Sequence, residues 1–127
     1  MFCDTIIQYR IGDRMNINHL FVYGTLRKGQ SAYKAFELEN SLEFVDETMI
    51  TGDMYNMGGA YPGIKLDQKG TIVGDLFKIR DTSIINHLDN YEGYNPRNIQ
   101  GSLYRRVPVS TMCGHMCWVY EILVECP

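Results

Sequence analysis

The sequence predicts an α+β domain, a small mixed β-barrel of about five to six strands with two or three short helices packed outside it. Three observations carry that expectation. Short runs rich in aromatic and β-branched residues recur between clusters of Gly, Pro, Asn and Asp. Helical periodicity is confined to brief segments between them. Glycines also sit inside strand-like runs, at Gly52 and Gly74, where they suit a curved sheet.

In chain order, residues 1–17 mix apolar and charged side chains without a period and read as an N-terminal arm or extension to a single domain at residues 18–127. Met15 is a candidate start of the native chain, and Ile6 to Tyr9 are a candidate edge strand. His19 to Tyr23 is a compact apolar strand that ends at Gly24. A polar loop, Arg27-Lys28-Gly29-Gln30, leads to Ser31, which can cap a helix over Ala32 to Leu38 with Ala32, Ala35 and Phe36 on one side. Leu42 to Tyr55 is β-like, with a bulge or bend expected at Gly52. A turn cluster at residues 56–60, a short extended piece at Tyr61 to Ile64 and a hairpin turn at residues 67–70 precede Thr71 to Ile79, the strongest strand. Asp81 or Thr82 can cap the next helix, and Gly93 followed by Pro96 ends it. Leu103 to Val109 is extended, with Pro108 indicating an edge or a bulge, and Cys117 to Val124 is the last strand. Its inward set is Trp118, Tyr120, Ile122 and Val124, or the opposite parity.

Composition excludes several classes of function. The chain has 127 residues, 45% of them hydrophobic and 21% charged, enough for a core without disulfide staples. A net charge of −3 offers no pull on nucleic acid or an anionic membrane, and Arg27-Lys28 and Arg105-Arg106 read as isolated, solvated pairs. No apolar run approaches the ~20 residues of a membrane span, and the N-terminus lacks the order of a signal peptide, so a cytoplasmic protein is expected. Of the four cysteines, Cys113 and Cys117 flank His115, but their spacing is not that of a zinc knuckle or redox motif, and strand alternation would separate the ligands. Free thiols in a reducing compartment fit better. Neither a Gly-x-Ser-x-Gly elbow nor a phosphate-binding glycine motif occurs.

The chemistry is expected at the end of the helix that follows Asp81. On a wheel of roughly 100° per residue, Ile84, Ile85, Leu88 and Tyr91 fall at about 0°, 100°, 40° and −20°, and Glu92 falls inside that arc at about 80°. An ionised carboxylate on a core-facing stripe is unfavourable without a partner, and the last turn of a helix favours cations over anions. Both effects raise a carboxyl pKa toward that of a general base. The plainer alternative pairs Glu92 with a buried arginine or frays it into solvent before Gly93. The turn Gly24-Thr25-Leu26, where a strand feeds a helix, leaves backbone N–H groups at its mouth that suit an anion or a polarised carbonyl oxygen.

Phe21-Val22-Tyr23-Gly24-Thr25-Leu26-Arg27-Lys28-Gly29 resembles the opening motif of the γ-glutamylcyclotransferase-like proteins, a group that includes γ-glutamylamine cyclotransferases and AIG2-like proteins. Tyr61-Pro62-Gly63, Val73 to Phe77, Leu88 to Tyr94 and Tyr104 to Val109 resemble its later blocks, in the same order, so the likeness spans roughly residues 18–124. The resemblance implies the small mixed barrel, a catalytic carboxylate at Glu92 and a substrate cradle at Tyr23, Gly24, Thr25 and Leu26. It also implies the reaction, in which the α-amine of a γ-glutamyl amine attacks its own γ-carbonyl, forms 5-oxoproline and expels the amine. Glu92 would move the protons and the Gly24 turn would hold the oxyanion, so neither metal nor organic cofactor is called for. Tyr104 is a candidate second wall of the pocket, or else a packed strand residue. Arg27 and Arg105 are candidates to meet the substrate carboxylate, with Arg105 on the opposite strand face from Tyr104. The expected partner is a small γ-glutamyl molecule; oligomeric state is not legible. The rival readings are a related hydrolase or transferase acting on γ-acyl amides, and a ligand-binding or interaction module on the same fold without turnover.

Overall fold

The computed structural model describes residues 17–57, 61–66 and 69–123. Residues 1–16, with Met15 and the candidate strand Ile6 to Tyr9, lie outside the described residues, as does Val124. Strand β1 (His19–Val22) leads through a 3-10 turn (Gly24–Leu26) to helix α1 (Ser31–Ala35) and a second 3-10 turn (Leu38–Asn40). Strands β2 (Leu42–Thr51), β3 (Asp53–Met57), β4 (Tyr61–Lys65) and β5 (Thr71–Ile79) follow. Helix α2 (Ser83–Glu92), a 3-10 turn (Ile99–Gly101), β6 (Tyr104–Ser110) and β7 (Met116–Ile122) complete the described chain.

The α+β class holds, but the barrel does not close. The main sheet has five strands in the order β2-β5-β1-β7-β6, and β3 and β4 form a separate two-stranded ribbon, making seven strands among the described residues. Strands β2 and β6 are the sheet's two edges. At Gly52 the chain leaves the β2–β5 ladder; a Cβ there would stand 2.8 Å from the Lys65 carbonyl oxygen. The ribbon then lies near β7 instead of bridging the two edges: Lys65 Nζ donates to the Ile122 carbonyl at 2.9 Å. Pro108 sits where the sequence predicts, on edge strand β6, which pairs only with β7 and so loses no second ladder to the missing N–H.

β1 is central, antiparallel to β5 and parallel to β7. Its uninterrupted apolar run reflects cover on both faces. Leu20 and Val22 join Leu38, Ile84 and Leu88 in one core, while Phe21 and Tyr23 join Ile64, Ile72, Cys117 and Val119 in the other. The sheet therefore lies between helices and ribbon, and the C-terminal end of β1 opens into the Gly24 turn. The first helix is shorter than predicted and Gln30, not Ser31, is its N-cap. At α2, Thr82 is the cap position without a side-chain bond, while Asp81 Oδ1 accepts from the Ser83 backbone N–H and hydroxyl at 3.0 and 2.8 Å.

Candidate active site

Glu92 is the last residue of α2, and Gly93 ends the helix in the left-handed conformation, φ 70°. The Gly93 N–H donates to the Asn90 carbonyl at 3.2 Å and the Tyr94 N–H to the Asp89 carbonyl at 2.8 Å. This cap fixes where the helix stops, and with it the height of Glu92 above the sheet. The buried side chains of α2 are Ile84, Leu88 and Asp89. Tyr91, expected on the buried arc, is instead 50% exposed and packs edge-on against Phe36 at 4.9 Å. The helix is rotated so that Asp89, at about 140° on the same wheel, enters the arc in place of Tyr91.

Asp89 can be buried because partners wait for it. Arg106 Nε and Nη2 donate to Asp89 Oδ1 and Oδ2 at 3.0 and 3.3 Å, and the Tyr120 hydroxyl donates to Oδ1 at 2.6 Å. The Arg106 guanidinium lies 4.4 Å from the centre of the Trp118 ring, within cation–π range. Glu92, three residues on, is half-buried. No hydrogen bond or ion pair to its carboxylate is present among the described residues. Burial alone pushes its pKa up to about 7. The arginine pairing that could have neutralised it falls to Asp89 instead.

Tyrosines surround this end of the sheet. Burial first, then the Glu92 charge and Tyr104, drive the Tyr23 phenol well above its ordinary value. Tyr120 is raised chiefly by burial and by its bond to Asp89, with Glu92 contributing. Tyr23 and Tyr120 thus share the surroundings of Glu92, and Tyr104 those of Tyr23. The Tyr23 hydroxyl donates to the Tyr120 carbonyl at 2.6 Å, so the phenol is spent inside the protein and the residue offers the turn its backbone. Tyr104 is buried in the core that holds Leu88 and Tyr120.

The turn after Tyr23 needs glycine. Gly24 has φ 69°, a conformation costly for any side-chain-bearing residue. Leu26 is buried, Thr25 is exposed, and the Arg27 N–H closes the turn on the Gly24 carbonyl at 3.1 Å. The leading N–H groups of such a turn have no acceptor within it. Buried Asp75, from β5, holds the turn from below: it accepts from the Lys28 backbone N–H at 2.7 Å and from Arg27 Nη2 at 3.1 Å.

Both candidate arginines for a substrate carboxylate are engaged within the protein. Arg27 pairs with Asp75 and Glu47, and Arg105 pairs with buried Glu121 at 2.8 Å. Arg105 is half exposed, as a surface residue would be, while Arg106 is largely covered; each arginine serves a carboxylate on its own face of β6. An open cleft of about 710 Å³ adjoins the turn, walled by Gly24, Arg27, Phe44, Glu47, Met54 and Val73, and Glu92 is not in its wall.

The sequence reading proposes Glu92 and the Gly24 turn; Asp89, Arg106, Tyr120 and Asp75, which hold the helix end and the turn by hydrogen bonds, are not among its candidates. One signal was available: if Arg105 opposes Tyr104 on the strand, Arg106 shares the Tyr104 face. Cys113 and His115 stand together on the β6–β7 turn, with Sγ 3.6 Å from Nδ1, while Cys117 is buried. Among the described residues no group of three His, Cys, Asp or Glu side chains is arranged to hold a metal ion. No helix among them is long and apolar enough to cross a membrane.

The family described as gamma-glutamyl cyclotransferase, AIG2-like, matches residues 20–126. The chain belongs to this family. A Halalkalibacterium halodurans member provisionally named a gamma-glutamylcyclotransferase is 34% identical over 80 residues, covering 61% of this chain and 69% of its own. The gamma-L-glutamyl-butirosin B gamma-glutamyl cyclotransferase of Niallia circulans is 27% identical over 110 residues, covering 84% of this chain and 68% of its own. Among solved structures, an AIG2-like protein of Mus musculus superposes with a TM-score of 0.70 at 21% identity, over 87% of this chain and 80% of that one. That likeness is one of fold.

Proposed function

We propose that the protein is a γ-glutamyl amine cyclotransferase in which Glu92 is the general acid and base. The observation that carries this reading is a carboxylate that burial raises to about 7 with no cation beside it among the described residues, at the helix end that shares its surroundings with Tyr23. A carboxyl poised near neutral pH can both accept and return a proton. The substrate's α-ammonium must lose a proton before its nitrogen attacks the γ-carbonyl. Glu92 takes that proton, the C–N bond of the five-membered ring forms, and the carbonyl oxygen becomes an oxyanion. Backbone N–H groups of Thr25 and Leu26 are the donors proposed to hold that oxygen. Collapse of the intermediate breaks the bond to the leaving nitrogen, which receives the proton from Glu92. The ring nitrogen then gives its second surplus proton to Glu92, which passes it to the departing amine. 5-Oxoproline and a protonated amine leave, and Glu92 is again a carboxylate. Both reacting groups belong to one molecule, so the protein's main task is to fold the substrate into attack geometry.

The Niallia circulans relative is named as a γ-glutamyl cyclotransferase of gamma-L-glutamyl-butirosin B, which supports a γ-glutamyl compound as the substrate here. The experiment incubates the protein with a panel of γ-glutamyl amines, detects 5-oxoproline by mass spectrometry and runs Glu92→Gln alongside. Formation of 5-oxoproline, slowed at least about a hundredfold in the variant, is the expected result. Turnover that survives the substitution would remove Glu92 from the chemistry. Binding without turnover by the wild type would instead identify a ligand-binding module.

A further inference from the structure

We propose that Asp89, Arg106 and Tyr120 are positioning residues that lock the last turn of α2 to β6 and β7, holding Glu92 at a fixed distance from the Gly24 turn. The proposal rests on the cyclotransferase reading of Glu92. Arg106 and Tyr120 are directly opposed cross-strand partners, and both reach Asp89. Two strands thus grip one carboxylate at two points. The grip is directional: the Arg106 fork meets both Asp89 oxygens while its plane is backed by Trp118 and, at 5.9 Å, by Tyr94. Asp89 stands one turn before Glu92, so a slide or roll of the helix end cannot move one without the other.

Tyr120 also connects the two halves of the site. Its hydroxyl holds the helix through Asp89, and its carbonyl receives the Tyr23 hydroxyl immediately before Gly24. The run Arg106–Asp89–Tyr120–Tyr23 is therefore a single span from the last turn of α2, which carries Glu92, to the Gly24 turn. Stability alone is a poor reason for it, because a partly buried ion pair contributes little that well-packed apolar residues would not. A reaction that depends on attack geometry supplies a better one, since a misplacement of about 1 Å can lower a rate a hundredfold.

Among the described residues, the titratable and charged groups around this end of the sheet are Tyr23 from β1, Tyr104 and Arg106 from β6, Tyr120 and Glu121 from β7, Asp89 from α2 itself, and Tyr94 after it. The test uses the full chain with carbon-13 in its glutamate carboxyls, assigned by comparison with Glu92→Gln. Tyr120→Phe removes one hydroxyl and Arg106→Lys removes the fork. In each, kcat is expected to fall about tenfold to a hundredfold with KM within about threefold. The Glu92 titration midpoint should drop by at least about half a unit as the turn loosens toward water. Arg80→Gln, which removes an exposed pair with Glu43, should change neither. Wild-type kcat and an unmoved midpoint in both folded variants would overturn the proposal, as would a rise in KM alone. If Asp89→Asn fails to fold, Tyr120→Phe still decides. If the wild type turns over no γ-glutamyl amine, the functional reading fails, and the titration still decides the positioning claim.

Discussion

Asp89 and Glu92 stand one helical turn apart on α2, yet their carboxylates meet opposite surroundings. Asp89 has a forked arginine and a tyrosine hydroxyl within 3.3 Å. Glu92 has burial and, among the described residues, no cation, and its pKa rises to about 7. Burial by itself therefore does not mark a reactive acid; what the protein sets against that burial does. A satisfied carboxylate can hold a structure, while an unsatisfied one is left with a proton to exchange.

The sharpest way to break this contrast is at Glu92. Glu92→Gln should lower 5-oxoproline formation by at least about a hundredfold while the protein stays folded. The reciprocal change, Asp89→Ala, should act on the fold, leaving a partly buried Arg106 without its anion and lowering unfolding free energy by about 3 kcal/mol in denaturant titration. Equal losses of activity at unchanged stability in the two variants would erase the distinction.

Next in size is a pH effect. The Glu92 carboxyl binds its proton more tightly in the folded chain, at about 7, than at its ordinary value of 4.5. Below about pH 4.5 both states are protonated and no penalty applies. As pH rises toward 7 the unfolded chain has already released the proton, so folding loses ground. Above about 7 the loss is complete, at roughly 3 kcal/mol. The stability of wild type minus that of Glu92→Gln should therefore fall by about that amount between pH 4 and pH 8. A flat difference would show that the carboxyl is not perturbed.

The smallest effect compares two thiols at the other end of the sheet. Cys113 is exposed, and hydrogen bonds from Thr111, Thr48 and His115 lower its pKa to about 7. Burial pushes Cys117 up to about 12. Alkylation mapped by mass spectrometry should label Cys113 at neutral pH and reach Cys117 only on unfolding.

How much of this was legible in the sequence depends on whether a feature is local. Glu92 could be nominated as a candidate because its wheel position and Gly93 are encoded within ten residues. The seven-strand outline was nearly legible for the same reason, and Pro108 pointed correctly to an edge. The Asp89–Arg106 pair was not, because alternation puts Arg106 on the Tyr104 face but does not say that this face meets the helix, whose rotation depends on that meeting. The same circularity misplaced Tyr91. Barrel closure failed as an expectation because it depends on where the chain goes after Gly52, which is set by packing of the ribbon on β7 and not by the β propensity of either segment.

The parallel pairing of β1 with β7, Leu20 opposite Trp118, has a consequence for the order of assembly. A ribosome releases the Gly24 turn early and the strand that must lie beside β1 almost a hundred residues later. Until then the central strand has one neighbour, β5, and an open edge that invites a foreign strand. Closing so long a loop is a slow step. The Tyr23–Tyr120 bond can form only after it, so a nascent chain holds the family's opening motif well before it holds that contact.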